Sequence, residues 1–135
     1  MSYKIEDIEG IGPSYGQKLR DAGIATTGAL LKKCGTPKGR KALAADTGID
    51  DGRILKWTNL ADLMRIKGIG TQYSELLEAA GVDTVKELKH RNAANLAAKM
   101  QEVNAEKKLT RATPAEKLVV SWVEQAKSME PAISY

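Results

Sequence analysis

Ile8-Glu-Gly-Ile-Gly-Pro-Ser-Tyr-Gly-Gln-Lys-Leu-Arg-Asp-Ala-Gly-Ile24 and Ile66-Lys-Gly-Ile-Gly-Thr-Gln-Tyr-Ser-Glu-Leu-Leu-Glu-Ala-Ala-Gly-Val82 are one pattern written twice, 58 residues apart. From Ile8 to Leu30, ten of twenty-three positions are identical: Ile8/Ile66, Gly10/Gly68, Ile11/Ile69, Gly12/Gly70, Tyr15/Tyr73, Leu19/Leu77, Ala22/Ala80, Gly23/Gly81, Thr26/Thr84 and Leu30/Leu88. An internal duplication is the economical reading, and it organises the rest of the chain. A second match closes each copy: Ile54-Leu-Lys-Trp57-Thr-Asn-Leu-Ala61 pairs with Val119-Val-Ser-Trp122-Val-Glu-Gln-Ala126 at an offset of 65. The second copy therefore holds 65 less 58, or seven, extra residues between Asn92 and Pro114.

Within each copy the apolar residues recur three and four apart, as at Leu60, Leu63 and Met64, and no stretch alternates with the two-residue period of a strand. The spacing predicts an all-α fold of four or five short helices per unit, the last a long one through Trp57 or Trp122. Breaks fall at Gly10 to Gly12, Gly23, Gly35 to Pro37, Thr47-Gly48, Gly68 to Gly70, Gly81, Asn92 and Thr113-Pro114. Thr26 or Thr27 and Thr84 read as N-caps, Gly23 and Gly81 as left-handed C-caps, and Pro37 and Pro114 as first-turn residues behind a capping Thr. The expected units are 1–64 and 65–128, packed as one compact bundle, with a loosely held tail at 129–135 behind Glu130-Pro131.

The chain has 135 residues, 42% hydrophobic and 28% charged, enough for its own core. No run of eighteen apolar residues exists, and acids stand near the N-terminus where a signal peptide would carry a basic and then an apolar stretch. The expectation is a soluble, cytoplasmic protein with no membrane partner. Cys34 stands alone and there is one His, so neither an intramolecular disulfide nor a Cys/His zinc site is encoded. The net charge of +4 permits an anionic partner without demanding one. It divides equally, +2 and +2 about Met64, which fits two similar units better than a domain with a basic tail.

The segment apolar-x-Gly-Ile-Gly-x-x-Tyr-x-x-x-Leu-x-x-Ala-Gly-Ile/Val resembles the helix-hairpin-helix motif, here in tandem. With Ile54-Leu-Lys-Trp57-Thr-Asn-Leu-Ala-Asp62-Leu-Met-Arg65-Ile-Lys67-Gly-Ile-Gly70 linking the copies, nearly the whole chain is similar to an uncharacterised bacterial family of duplicated helix-hairpin-helix units. The resemblance implies a SAM/helix-hairpin-helix-like bundle and sequence-independent gripping of nucleic acid, DNA ahead of RNA. Backbone amides at Gly10, Ile11, Gly12 and at Gly68, Ile69, Gly70 would hold phosphates without reading bases. It also allows a monovalent cation at a hairpin.

Cations near these turns are candidate phosphate contacts: Lys18 and Arg20 for the first hairpin, Arg65 and Lys67 for the second. The run Lys32-Lys33-Cys-Gly-Thr-Pro-Lys38-Gly-Arg40-Lys41 adds five bases in ten residues with no acid. The second helix of each hairpin lacks a base at its start, and Glu9 and Glu75 would repel phosphate. The second hairpin is the better supplied from its N-terminal side, by Arg65 and Lys67, and ranks ahead of the first.

Other residues read as structural. Trp57 and Trp122 occupy matching places as packing anchors, Tyr15 and Tyr73 share a helix face with apolar neighbours, His90 is a surface residue, and Cys34 is a buried helix-end thiol. Gly10-x-Gly12 has Tyr15 where a dinucleotide fingerprint needs Gly, and Gly35 to Arg40 lacks the Gly-Lys-Ser/Thr of a P-loop. A non-catalytic module is therefore expected. The alternatives are a protein-binding adaptor, favoured by the acids beside the hairpins, and a nuclease accessory using Asp50 or Asp51. The oligomeric state is not encoded in any feature above.

Overall fold

In the computed structural model, which describes residues 2–135, every regular element is helical. A 3-10 turn at Ile5–Asp7 precedes α1 (Pro13–Asp21), α2 (Thr27–Cys34), α3 (Pro37–Thr47), α4 (Asp51–Leu63), α5 (Thr71–Ala79), α6 (Val85–Leu88), α7 (Ala93–Lys107) and α8 (Glu116–Lys127). The one extended pairing among the described residues is an isolated antiparallel bridge between Lys4 and Thr26.

Helix starts follow the capping chemistry of the sequence. Thr26 Oγ1 accepts from Ala29 N at 3.1 Å, Thr36 Oγ1 from Gly39 N at 3.1 Å and Thr84 Oγ1 from Glu87 N at 3.1 Å. Asp50 Oδ2 and Asn92 Oδ1 do the same for Arg53 N at 3.1 Å and Asn95 N at 3.0 Å. Each such bond satisfies one of the amides that a helix leaves without an internal acceptor. Three helices, α1, α5 and α8, lack a side-chain cap. For α8 this corrects the expected Thr113-Pro114 start: the helix begins at Glu116 behind Ala115, and Pro114 is buried in the preceding segment.

The interior is filled by two clusters. One gathers Ile5, Ile8, Leu19, Leu30, Leu43, Ile54, Trp57 and Met64; the other gathers Leu63, Ile66, Ile69, Leu77, Val85, Met100, Val119 and Trp122. Burying a side chain of this size contributes about 1.5–3 kcal/mol, so the cores dominate the stabilising side of folding. α2 lies against α4 and α3, α7 lies against α8 and α5, and α4 meets α5 across the middle. Asp62, 2% exposed, joins the halves: its Oδ2 accepts from Val85 N at 2.8 Å, and its Oδ1 accepts from Arg65 Nη1 at 2.7 Å.

The extra length of the second half goes into α7 and the segment that follows it. α7 has 15 residues against 12 in α8, so the longest helix of that half is not the one through Trp122. Asn104 clamps the segment after α7, donating from Nδ2 to Thr110 O at 3.0 Å and accepting from Thr110 N at 2.9 Å.

The tail also departs from expectation. Ser134 N donates to Gly35 O at 2.7 Å, and the Ser134 carbonyl accepts from Arg40 Nη2 at 2.9 Å. The Tyr135 hydroxyl donates to Asn59 Oδ1 at 3.0 Å. Pro131 stops a helix but leaves the extended backbone free to pair with an acceptor at the α2–α3 junction.

Candidate functional site

The two Gly-Ile-Gly segments fold as matching corners. Gly10 and Gly68 take φ of +94° and +101°, a region costly for any residue with a Cβ. Ile11 N donates to Ile8 O, and Ile69 N to Ile66 O, both at 3.1 Å. Both Ile side chains are buried in the cores. Ile11 and Ile69 therefore hold the corners from inside, and their amides are not free for an anion as the sequence reading has it. Gly12 and Gly70 then start α1 and α5, with no atom within 4 Å of where a Cβ would stand on either. The first turns keep amides without internal acceptors: Ser14 and Tyr15 in α1, where Pro13 has none to offer, and Thr71, Gln72 and Tyr73 in α5.

Behind each corner an indole packs on a tyrosine. Tyr15 and Trp57 lie 5.1 Å apart edge-on, and Tyr73 and Trp122 lie 5.3 Å apart, tilted. Both tryptophans are buried, as expected of packing anchors.

The surroundings of the corners differ. At the second, the Thr71 hydroxyl donates to the Asp7 carbonyl, and the Tyr3 hydroxyl donates to the Ile69 carbonyl at 3.4 Å. This corner is thus braced against the N-terminal segment of the other half, through groups other than the first-turn amides of α5. At the first corner, Gly10 borders two open grooves. One is lined by Glu9, Asp50, Gly52, Arg53, Lys56 and Trp57; the other includes Glu9, Lys56, Leu60, Glu75, Glu78, Lys107 and Leu109. Burial, with the charge of Glu9 next in effect, pushes the Glu75 carboxyl above its ordinary value.

The predicted cations fall into two groups. Lys18, Lys32, Lys33, Lys38, Lys41 and Lys67 are exposed and make no ion pair among the described residues. Gly39 lies so close to the Lys33 carbonyl that a Cβ would clash with it, which draws the start of α3 and the end of α2 together.

Three arginines are committed internally. Arg40 is 5% exposed, donates to Cys34 O at 3.0 Å as well as to Ser134 O, and lies 5.7 Å from the Tyr135 ring centre. It leaves the basic run because the α2 end and the tail supply carbonyls that a buried guanidinium needs. Arg20 grips Glu6 with two bonds of 2.7 and 2.6 Å, which holds the Glu6 carboxyl down at about 2. Arg65 is bound to Asp62 and, through Nη2, to Glu130 O at 3.0 Å.

The residues missed in the sequence are Arg53 and Lys56. Arg53 lies over the Tyr15 ring at 5.6 Å and makes no ion pair among the described residues. Lys56 reaches Glu78 at 3.5 Å. The signal was present: carrying the offset of 65 one residue back from Ile54 sets Arg53 against Leu118.

Among the described residues no group of three or more His, Cys, Asp or Glu is placed to hold a metal ion, and no helix is long and apolar enough to cross a membrane. Cys34 is buried, and burial pushes its thiol up to about 11.

No curated protein and no solved structure matches the chain. A family model described as Domain of unknown function (DUF4332) matches residues 9–129. With its paired corners lying almost wholly inside that span, the chain belongs to the DUF4332 family.

Proposed function

We propose that this protein is a non-catalytic helix-hairpin-helix module that grips nucleic acid by its phosphate backbone, independently of sequence and with DNA preferred to RNA. The observation that carries the reading is the uncapped start of α1 at the exposed Gly12, where the Ser14 and Tyr15 amides have no internal acceptor and no atom lies within 4 Å of where a Gly12 Cβ would stand. The lysines at 18, 32, 33, 38 and 41 neutralise neighbouring phosphates. The second corner contributes less, since Gly70 is only partly exposed where Gly12 is exposed, with the N-terminal segment packed beside it through Asp7 and Tyr3. For a monovalent cation, the same packing makes the first corner the one to test.

The surface supports nucleic acid over a protein partner. Among the described residues, Val120 and Tyr135 are the exposed large hydrophobic ones, whereas protein interfaces are anchored by clustered aromatic and apolar groups. The adaptor reading keeps one observation in its favour, the carboxylates Glu9, Glu75 and Glu78 along the groove beside Gly10.

Fluorescence anisotropy with a labelled duplex tests the proposal. Binding at about 50 mM salt should fall steeply by about 200 mM, with log affinity dropping by roughly 0.9 per phosphate neutralised for each log unit of salt. Salt-independent binding, or none at low salt, overturns it in favour of the adaptor.

A further inference from the structure

The groove between Gly10 and α4, of about 470 Å³, brings together three hydrogen-bond donors. Trp57 is 97% buried (3% exposed), yet it lines this groove, and its Nε1 lies 3.5 Å from where a Cβ on Gly10 would stand. That N–H has no acceptor among the described residues. Unlike the sealed nitrogen of Trp122, it is not closed off from the groove, so a ligand oxygen entering there can take the place of water on a donor whose ring is held fixed by packing. Arg53 and Lys56, on the same stretch of α4 three residues apart, line the groove with it. The stacking of Arg53 on Tyr15 limits its freedom before any ligand arrives, and a guanidinium suits a phosphate better than a lone ammonium.

The other half shows what the same framework looks like without these groups. Trp122 Nε1 is instead fully buried and without a partner, 3.0 Å from the Cβ position of Gly68, and Leu118 closes over it, with Cδ1 at 3.8 Å from that position. The site therefore depends on Arg53 and on access past Gly10, not on the corner alone.

We infer that the Gly10–α4 groove is a phosphate-oxyanion site whose donors are the Trp57 indole N–H, Arg53 and Lys56. It rests on the proposed function where the phosphate is a backbone diester; a free phosphate is the other source of the same chemistry. Glu9 and Asp50 oppose it, although one Asp50 oxygen is occupied by Arg53 N at 3.1 Å. Glu9→Gln should accordingly tighten binding.

The test uses the full chain and its two indole N–H resonances in 1H–15N spectra, assigned with Trp57→Phe. Inorganic phosphate and a short DNA duplex are titrated separately, and duplex binding is also read by anisotropy. The Trp57 resonance should move with both probes while that of the enclosed Trp122 stays. Arg53→Leu, at an exposed position, should preserve helicity and weaken the response by about tenfold, as expected for losing a charged hydrogen bond. A Trp57 response to phosphate without duplex binding keeps this site as one for small oxyanions and sinks the nucleic-acid reading. Duplex binding with a stationary Trp57 resonance does the reverse, and no response to either probe overturns both.

Discussion

The corner at Ile8–Gly12 and the corner at Ile66–Gly70 share backbone, buried isoleucine and stacked Tyr/Trp pair, yet they stand in opposite settings. The first is entered from a 3-10 turn of three residues and opens on grooves lined by Arg53, Lys56 and Glu9. The second is entered from the 13-residue α4 and is braced by Tyr3 and Asp7, with Leu118 behind it. A repeated sequence pattern can thus keep one backbone in two settings, one copy bordered by α4 and the other braced by the N-terminal segment.

The sharpest way to break this comparison is at the left-handed glycines. Gly68→Val should be the more damaging change, because positive φ and a Cβ 3.0 Å from Trp122 Nε1 add, for a loss of about 2–5 kcal/mol. Gly10→Val meets its indole at 3.5 Å and should lose about 1–3 kcal/mol. Urea unfolding measures both, and equal losses would show the corners to be packed alike.

A subtler change separates binding from folding. Gly12→Asp and Gly70→Asp place a capping carboxylate where space is open, and each should stabilise by about 0.3 kcal/mol in urea melts, since Gly is itself a fair N-cap. Gly12→Asp should also weaken duplex binding about tenfold or more by occupying the α1 amides, and Gly70→Asp much less. Equal binding by both variants would remove the functional difference between the corners.

The smallest effect is in pH. Glu6, held down at about 2 by Arg20, favours the folded state fully above the ordinary 4.5, and that support drains as pH falls from 4.5 toward 2. Glu75 has the opposite sign: its raised folded value means the charged form opposes folding, and the penalty is relieved as pH falls through that value toward 4.5. Glu75→Gln should therefore raise Tm at neutral pH and flatten the rise on mild acidification. Arg20→Gln should steady Tm below pH 4.5. Wild-type pH curves from both variants would contradict these assignments.

Much of the fold was legible because its determinants are local. Thr26, Thr36, Thr84 and Asn92 cap the helices they precede, Gly10 and Gly68 stand where φ is positive, and the repeat itself locates the corners. The tail was misread for the converse reason, since its bonds reach Gly35, Arg40 and Asn59 far back along the chain, and Pro114 is buried ahead of α8 instead of starting it. The candidate site divides in the same way. The sequence alone determined the all-helical composition, the paired corners and the exposed lysines, through periodicity, glycine spacing and charge. Only the tertiary structure decided that Arg40 turns inward to carbonyls of Cys34 and Ser134, that Arg20 and Arg65 are spent on acids, and that Arg53 stands over Tyr15. A long cationic side chain has reach in every direction, and which acceptor it meets is set by packing between segments that its own neighbours do not encode.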